Sequence, residues 1–244
     1  MLLEFIIFII LFLLYIRYKT SHDYNLITEL SDKQMEKCDE VVPKDFTKVS
    51  FIRIPKNAST SIYKHLGEKN TITDEKLIEL GKNEKYHNIL APSHCKLSEA
   101  LEYIGPDILK YPIFCICRNP YDRMVSAYTY SQISPLFDLQ IKSFEEFIDK
   151  CIEVYGIEKY ELFWMPQSNY INIKCNINIL RYENLDKDFK NFILDNNLDI
   201  STDLPWLNQS NSSNYKSYYT EELRKKVYKI WKKDFNTFNY SKDL

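Results

Sequence analysis

Glycine is scarce, with four residues in a chain of 244. Most turns must therefore be built from residues for which a positive φ is costly. The G-x-x-x-x-G-K-[ST] loop that cradles nucleoside triphosphates is also missing, which argues against an ordinary triphosphate site. Cysteine is present six times, at Cys38, Cys95, Cys115, Cys117, Cys151 and Cys175, but never in the C-x-x-C spacing of a zinc site. Cys115 and Cys117 alternate along an apolar run, so they share one side of a strand and are poorly placed to bridge each other. They read as buried thiols. An even cysteine count leaves disulfides open without fixing a connectivity. No excess of basic charge exists either: 32 Lys and Arg stand against 34 Asp and Glu, for a net charge of −2. Nucleic acid is therefore disfavoured as the main partner.

What is abundant is apolar and aromatic surface: 45% hydrophobic residues, with 19 tyrosines and 14 phenylalanines. That suffices for one sizeable packed domain with a short appendage. The appendage lies at the amino terminus. Leu2 to Ile16 are apolar except for Glu4, and Arg17 and Lys19 follow at once. The run is short for a spanning helix, which needs roughly 20 residues. It has neither the basic start nor the small-residue cleavage site of a signal peptide. It reads as an uncleaved anchor over residues 1–19, of a length suited to thinner early-secretory membranes. The basic residues after the run favour a cytoplasmic domain by the positive-inside rule. Residues 20–46 are polar and aperiodic, as expected of a stem, and residues 47–244 make the domain.

Inside the domain, strand and helix signals alternate. Val49 to Ile54 is a first strand closed by Pro55, and Thr60 to Leu66 a helix with Gly67 at its end. Pro112 to Cys117 reads as a strand buried on both faces. The helix Tyr121 to Tyr130 follows it, with Pro120 in its first turn. Ser143 and Glu146 form a capping box, Ile177 to Leu180 a third strand, and Asn184 the cap of a helix to about Leu194. A last helix runs from Thr220 to Phe235, with Leu223, Val227, Ile230 and Trp231 on the face expected to pack on the sheet. The pattern predicts an α/β fold: a parallel sheet flanked by helices, with ligands beyond the carboxyl ends of the strands.

Two of those strand ends carry chemistry. After the first come Pro55, Lys56, Asn57, Ala58, Ser59, Thr60 and Ser61. Backbone N–H groups at a helix start form an anion site. The hydroxyls can donate to phosphate or sulfate oxygens, and Lys56 can follow charge onto a leaving phosphate. An ordinary turn with a capping Ser or Thr would have the same residues. After the second strand, Arg118 stands at the strand end and Ser126 two helical turns on. A guanidinium fork with a hydroxyl suits a terminal phosphate monoester; a surface ion pair and a helix-packing serine are the plainer alternatives. Arg123 reads as a structural ion pair with Asp122 or Glu183.

Together, I-P-K-N-A-S-T-S-I and C-R-N-P-Y-D-R-M-V-S-A-Y resemble the two donor-binding motifs of sulfotransferases, most of all the Golgi carbohydrate branch that includes the uronyl 2-O-sulfotransferases. Further similarity lies in Ile179 to Leu185 and in Tyr218 to Phe235, so the likeness covers roughly Lys48 to Ser241. It implies a P-loop-NTPase-like fold, 3′-phosphoadenosine 5′-phosphosulfate (PAPS) as co-substrate, no metal, and a carbohydrate acceptor. It also implies a Golgi, lumenal catalytic domain, against the positive-inside reading. By this resemblance Lys56, Asn57, Ala58, Ser59, Thr60 and Ser61 hold the phosphosulfate, and Arg118 and Ser126 the 3′-phosphate. Ala58 departs from relatives that carry Gly, which is tolerable at negative φ and costly otherwise.

Sulfuryl transfer to a hydroxyl needs a proton acceptor. Four histidines are available: His22 in the stem, His65 on the first helix, His87 and His94. His94, just before a helix starting near Leu97, resembles the histidine-bearing segment of relatives and is the candidate base, with His87 the alternative. A polar loop, Leu207 to Tyr215, matches one that closes over the nucleotide in relatives, where Ser210 or Tyr215 would touch it. It also reads as a glycosylated loop, since Asn208 and Asn211 satisfy N-x-[ST], as does Asn57. Three alternatives remain: a magnesium-dependent nucleotide kinase or other phosphoryl transferase, a catalytically silent glycan- or nucleotide-binding protein, and a tyrosylprotein sulfotransferase.

Overall fold

The structure, a computed structural model, describes residues 46–71, 94–133, 141–153, 164–204 and 212–244. The anchor, nearly all of the stem, His22, His87, Ser210, Asn208 and Asn211 fall outside these. Among the described residues no helix is long and apolar enough to cross a membrane. Pro43–Asn172 and Asn176–Leu244 form one compact unit, which carries every residue discussed below.

Its centre is a three-stranded parallel sheet in the order β1 (Ser50–Ile52), β2 (Ile113–Cys117), β3 (Ile177–Arg181). Phe51 aligns with Phe114, and Cys115 with Ile179. Parallel strands cannot be joined by tight turns, so helices must carry the chain back each time. These are α1 (Ser59–Asn70), α2 (Leu97–Ile104), α3 (Pro120–Ile133) and α4 (Phe144–Glu153), with α5 (Leu185–Asp195) and α6 (Glu221–Thr237) after the sheet. Every residue of β1 and β2 is buried, as an apolar run covered on both faces requires. In β3 only Leu180 is buried.

Two apolar clusters hold the unit. One packs Phe51, Phe114 and Leu180 of the sheet against Ile62 of α1 and Phe189 and Phe192 of α5. Phe51 stacks on Phe114 with centroids 4.6 Å apart. The other joins α3, α4 and α6 through Met124, Phe147, Trp164, Val227, Trp231 and Phe235.

The local signals are met with small shifts. Strand β1 is shorter than the expected Val49–Ile54, because Val49 bridges Thr71 and Ile54 N–H folds back to Ile52 O. Gly67, at φ 66°, breaks helical geometry within α1. Ser143 Oγ accepts from Glu146 N, while Glu146 reaches back to Lys142 N, one residue beyond the expected partner. Asn184 makes no side-chain cap; a 3₁₀ turn, Tyr182–Asn184, leads into α5 instead and accepts Leu185 N–H at Tyr182 O. The apolar face of α6 joins the helical cluster with α3 and α4 and not the sheet cluster. Helical period reveals which face is buried, not what covers it.

Candidate functional site

The loop after β1 makes its turn without glycine. Lys56 has φ 68° and Ala58 φ 57°, both in the left-handed region. Each costs of the order of 1–2 kcal/mol for a residue with a Cβ. The negative φ that would have made Ala58 harmless is not what the turn requires. The strain is held in place from outside the loop. Arg123, only 1% exposed, donates from Nε to Pro55 O at 3.1 Å and from Nη1 to Met165 O at 2.9 Å. Asn57 donates from Nδ2 to Ile116 O and to Gln167 Oε1, both at 2.6 Å. Its two N–H groups are thereby spent inside the protein, and its remaining Oδ1 can only accept. A phosphosulfate offers only acceptors, so the Asn57 side chain shapes the loop and does not itself grip such a ligand.

Helix α1 then begins with no acid in its first turn and no side-chain cap from Ala58. That leaves its first N–H groups and positive dipole end to an anion. Ser59 and Ser61 are buried there, and Thr60 is exposed. Lys56 Nζ lies 3.7 Å from the centroid of the Tyr130 ring. Burial, then the Arg118 and Arg123 charges, push its ammonium down from 10.5 to about 8. An anion beside it would relieve that pressure.

The second loop is joined to the first. Arg118, 2% exposed at the end of β2, donates from Nη1 to Lys56 O at 3.1 Å. Its Nε and Nη2 clasp Asp122 at 2.7 and 3.0 Å, and its guanidinium lies 4.0 Å from the Tyr182 ring centroid. Asp122 is thus the partner of Arg118, not of Arg123, because Arg118, just before α3, and Asp122, in its first turn, stand four residues apart where the helix begins. Glu183 is taken by Asn119 N–H and Tyr240 O–H. Ser126 is 7% exposed, two turns along α3, and its Oγ has no hydrogen bond among the described residues. Tyr215, in the 3₁₀ segment Ser212–Tyr218, packs against the helical cluster. Its phenol is raised by burial and by Asp122 and Glu183, which sets it on the Arg118 side of the site.

His94 lies at the end of β1. Its Nδ1 is 2.8 Å from Arg53 O. A carbonyl can only accept, so Nδ1 carries the proton and Nε2 keeps its lone pair. Burial pushes the imidazole down from 6.5 to about 4, the Arg53 bond opposes this, and Arg53, Lys56 and Arg123 add to it. The ring is therefore neutral at physiological pH, with a free lone pair near three cations. His65 is tied to Ser201 O at 2.6 Å and edge-on to Phe189, a structural role.

A profile of the sulfotransferase family matches residues 39–241. The chain belongs to this family. No curated protein and no solved structure gives a match. In this sulfotransferase, Lys56, Ser59, Ser61 and Arg118 come together at adjacent strand ends, and His94 lies within electrostatic reach of Lys56. Sequence reasoning missed the groups that hold this candidate site in shape. Gln167 and Asp234, each 0% exposed, connect its loops. Asp234 carried one signal, an acid three residues after Trp231 on the apolar face of α6. Burial raises its carboxyl, and Arg123 together with the Gln167 and Ser168 N–H groups works against that rise. Gln167 carried none.

Proposed function

We propose that this sulfotransferase moves the sulfuryl group of PAPS to a hydroxyl of a carbohydrate acceptor, on a P-loop-like sheet and without a metal. The observation that carries the reading is the junction of Lys56 O and Arg118 Nη1 at 3.1 Å. It fuses two anion-receptive loops at neighbouring strand ends, as a ligand with separated 5′ and 3′ anions needs. Lys56, the α1 amino terminus, Ser59, Thr60 and Ser61 receive the phosphosulfate. Ser126 Oγ and the Arg118 guanidinium receive the 3′-phosphate, Arg118 sharing its charge with Asp122. The proposal also gives Tyr215 and Ser210 contacts with the nucleotide.

In the transfer step the acceptor oxygen attacks sulfur while the bond from sulfur to the bridging phosphate oxygen breaks. The acceptor proton passes to His94 Nε2, and the electron pair leaves with the phosphate, next to Lys56. Bound donor brings negative charge towards Arg53, Lys56 and Arg123, which removes part of what depresses His94 and makes it a better base. Positioning and electrostatics supply the catalysis, as in phosphoryl transfer.

Incubation of the full chain with radiolabelled PAPS and a panel of polysaccharides, peptides and small alcohols tests this. Labelled polysaccharide, unaffected by EDTA and lost in Lys56→Ala and His94→Ala, is the expected result. Label in peptides alone would make the enzyme a tyrosylprotein sulfotransferase; ATP use abolished by EDTA would make it a phosphoryl transferase. Tight binding of 3′,5′-ADP with no transfer would leave a silent binder. Full activity in His94→Ala would remove it as base and turn attention to His87. The proposal includes a single-pass anchor over residues 1–19, a stem over 20–46, and a Golgi-lumenal domain. A glycosidase-sensitive mass shift lost in Asn208→Gln and Asn211→Gln supports that orientation; digestion of the domain by protease added to intact vesicles refutes it.

A further inference from the structure

Gln167 is inaccessible to solvent and touches both loops at once. Its Oε1 accepts from Asn57 Nδ2 at 2.6 Å and from Arg118 N at 2.9 Å, and its Nε2 donates to Arg118 O at 2.8 Å. One planar amide thus satisfies both main-chain groups of Arg118, and its second lone pair takes the loop asparagine. The residue is itself anchored. Its N–H donates to Asp234 Oδ2 at 2.7 Å, and Ser168 N–H to Oδ1 at 2.9 Å. The opposing charge on Asp234 comes from Arg123, whose Nε holds Pro55 O. With the Arg118 Nη1 bond to Lys56 O, a closed ring of hydrogen bonds runs from residues 55–57 through Gln167 to Arg118 and back.

Every bond Gln167 makes in this ring goes to a main-chain atom, a loop side chain or a buried carboxylate, and none projects towards a ligand. We propose that Gln167, anchored by Asp234, is a positioning residue that fixes the separation of the two anion-receptive loops, and so the span between the transferable sulfuryl group and the 3′-phosphate. This rests on PAPS being the donor. Leucine at this place fills the volume but removes the partner of Arg118 N, of Arg118 O and of one Asn57 Nδ2 N–H, whose other N–H stays on Ile116 O. Glutamate keeps both accepting contacts, and its ionised carboxylate turns the donation to Arg118 O into a repulsive contact between two acceptors.

Full-length wild type, Gln167→Leu and Gln167→Glu are compared with PAPS and with adenosine 5′-phosphosulfate, which lacks the 3′-phosphate. Thermal melts and calorimetric binding of 3′,5′-ADP accompany the kinetics. The wild-type preference for PAPS, as a ratio of kcat/KM, falls roughly tenfold or more in Gln167→Leu. KM for PAPS rises while KM for the acceptor stays, and Gln167→Glu lies between. A residue that only supports folding lowers the active fraction and scales both donors equally. An unchanged preference, with or without lower activity, therefore overturns the proposal. Where Gln167→Leu does not fold, Gln167→Glu carries the same comparison. A wild type that neither binds 3′,5′-ADP nor uses PAPS sinks the functional reading and this proposal together; a wild type that uses PAPS while the variants keep its preference sinks this proposal alone.

Discussion

Ala58 is the residue where sequence and backbone disagree most openly. A Cβ stands at φ 57°, ψ 17°, a conformation in which glycine is comfortable. Ala58→Gly is expected to stabilise the protein by about 1 kcal/mol, the left-handed penalty less the extra freedom glycine has when unfolded. Urea unfolding measures it, and a loss of stability would show that the Asn57 and Arg123 bonds leave no strain to relieve. Lys56 offers a second test. With its ammonium lowered to about 8, it should be acylated faster than exposed lysines in mildly alkaline buffer, and 3′,5′-ADP should protect it; mass spectrometry of the modified peptide decides. His94 supplies a third. Between its ordinary 6.5 and its folded value of about 4, the unfolded chain binds a proton that the native one refuses. Stability is therefore full above pH 6.5 and falls by about 3 kcal/mol as pH drops to about 4. His94→Gln should flatten that part of the profile of unfolding free energy against pH.

At the scale of elements much was legible, and the reason is locality. The run Ile113–Cys117, the proline at the start of α3 and the Thr220 cap each state their role within a few residues. Lys56, Arg118 and Ser126 could be picked out because strand–loop–helix order puts loops at one end of the sheet. What stayed hidden depends on partners far along the chain. Asn57 meets Gln167 across 110 positions, and Gln167 N–H meets Asp234 across 67; no periodicity encodes such bonds. Arg123 was mispaired for a related reason, since charge and spacing do not tell which of two buried arginines meets Asp122 and which faces Asp234. The capping box of α4 is a local feature that can be tested alone: Ser143→Ala should cost about 1 kcal/mol in urea unfolding and leave donor affinity untouched. An equal loss in donor affinity would show that α4 reaches the site.

The whole molecule rests on two cores that serve different ends. The sheet cluster sets the strand ends from which the loops spring, and the helical cluster holds α6 against α3. Phe114 lies at the middle of the first, between Phe51 and Phe192 at 4.6 and 4.7 Å. Phe114→Ala should cost about 3–5 kcal/mol by the cavity it leaves. Denaturant midpoints read this directly; a loss below about 1 kcal/mol would mean that the three rings do not share a packed core.

Asp234 gives the fold an order in time. It fastens Gln167, and through it Asn57 and Arg118, yet it stands on α6, far downstream of both in a chain made from its amino end. A ribosome that has completed the sheet has not completed the site. Until residue 234 emerges and α6 docks, the early loops have their sequence but not their spacing. The nascent protein is then a fold in waiting and not yet an enzyme, and a message cut short before α6 yields a chain with both donor-loop motifs and no working centre.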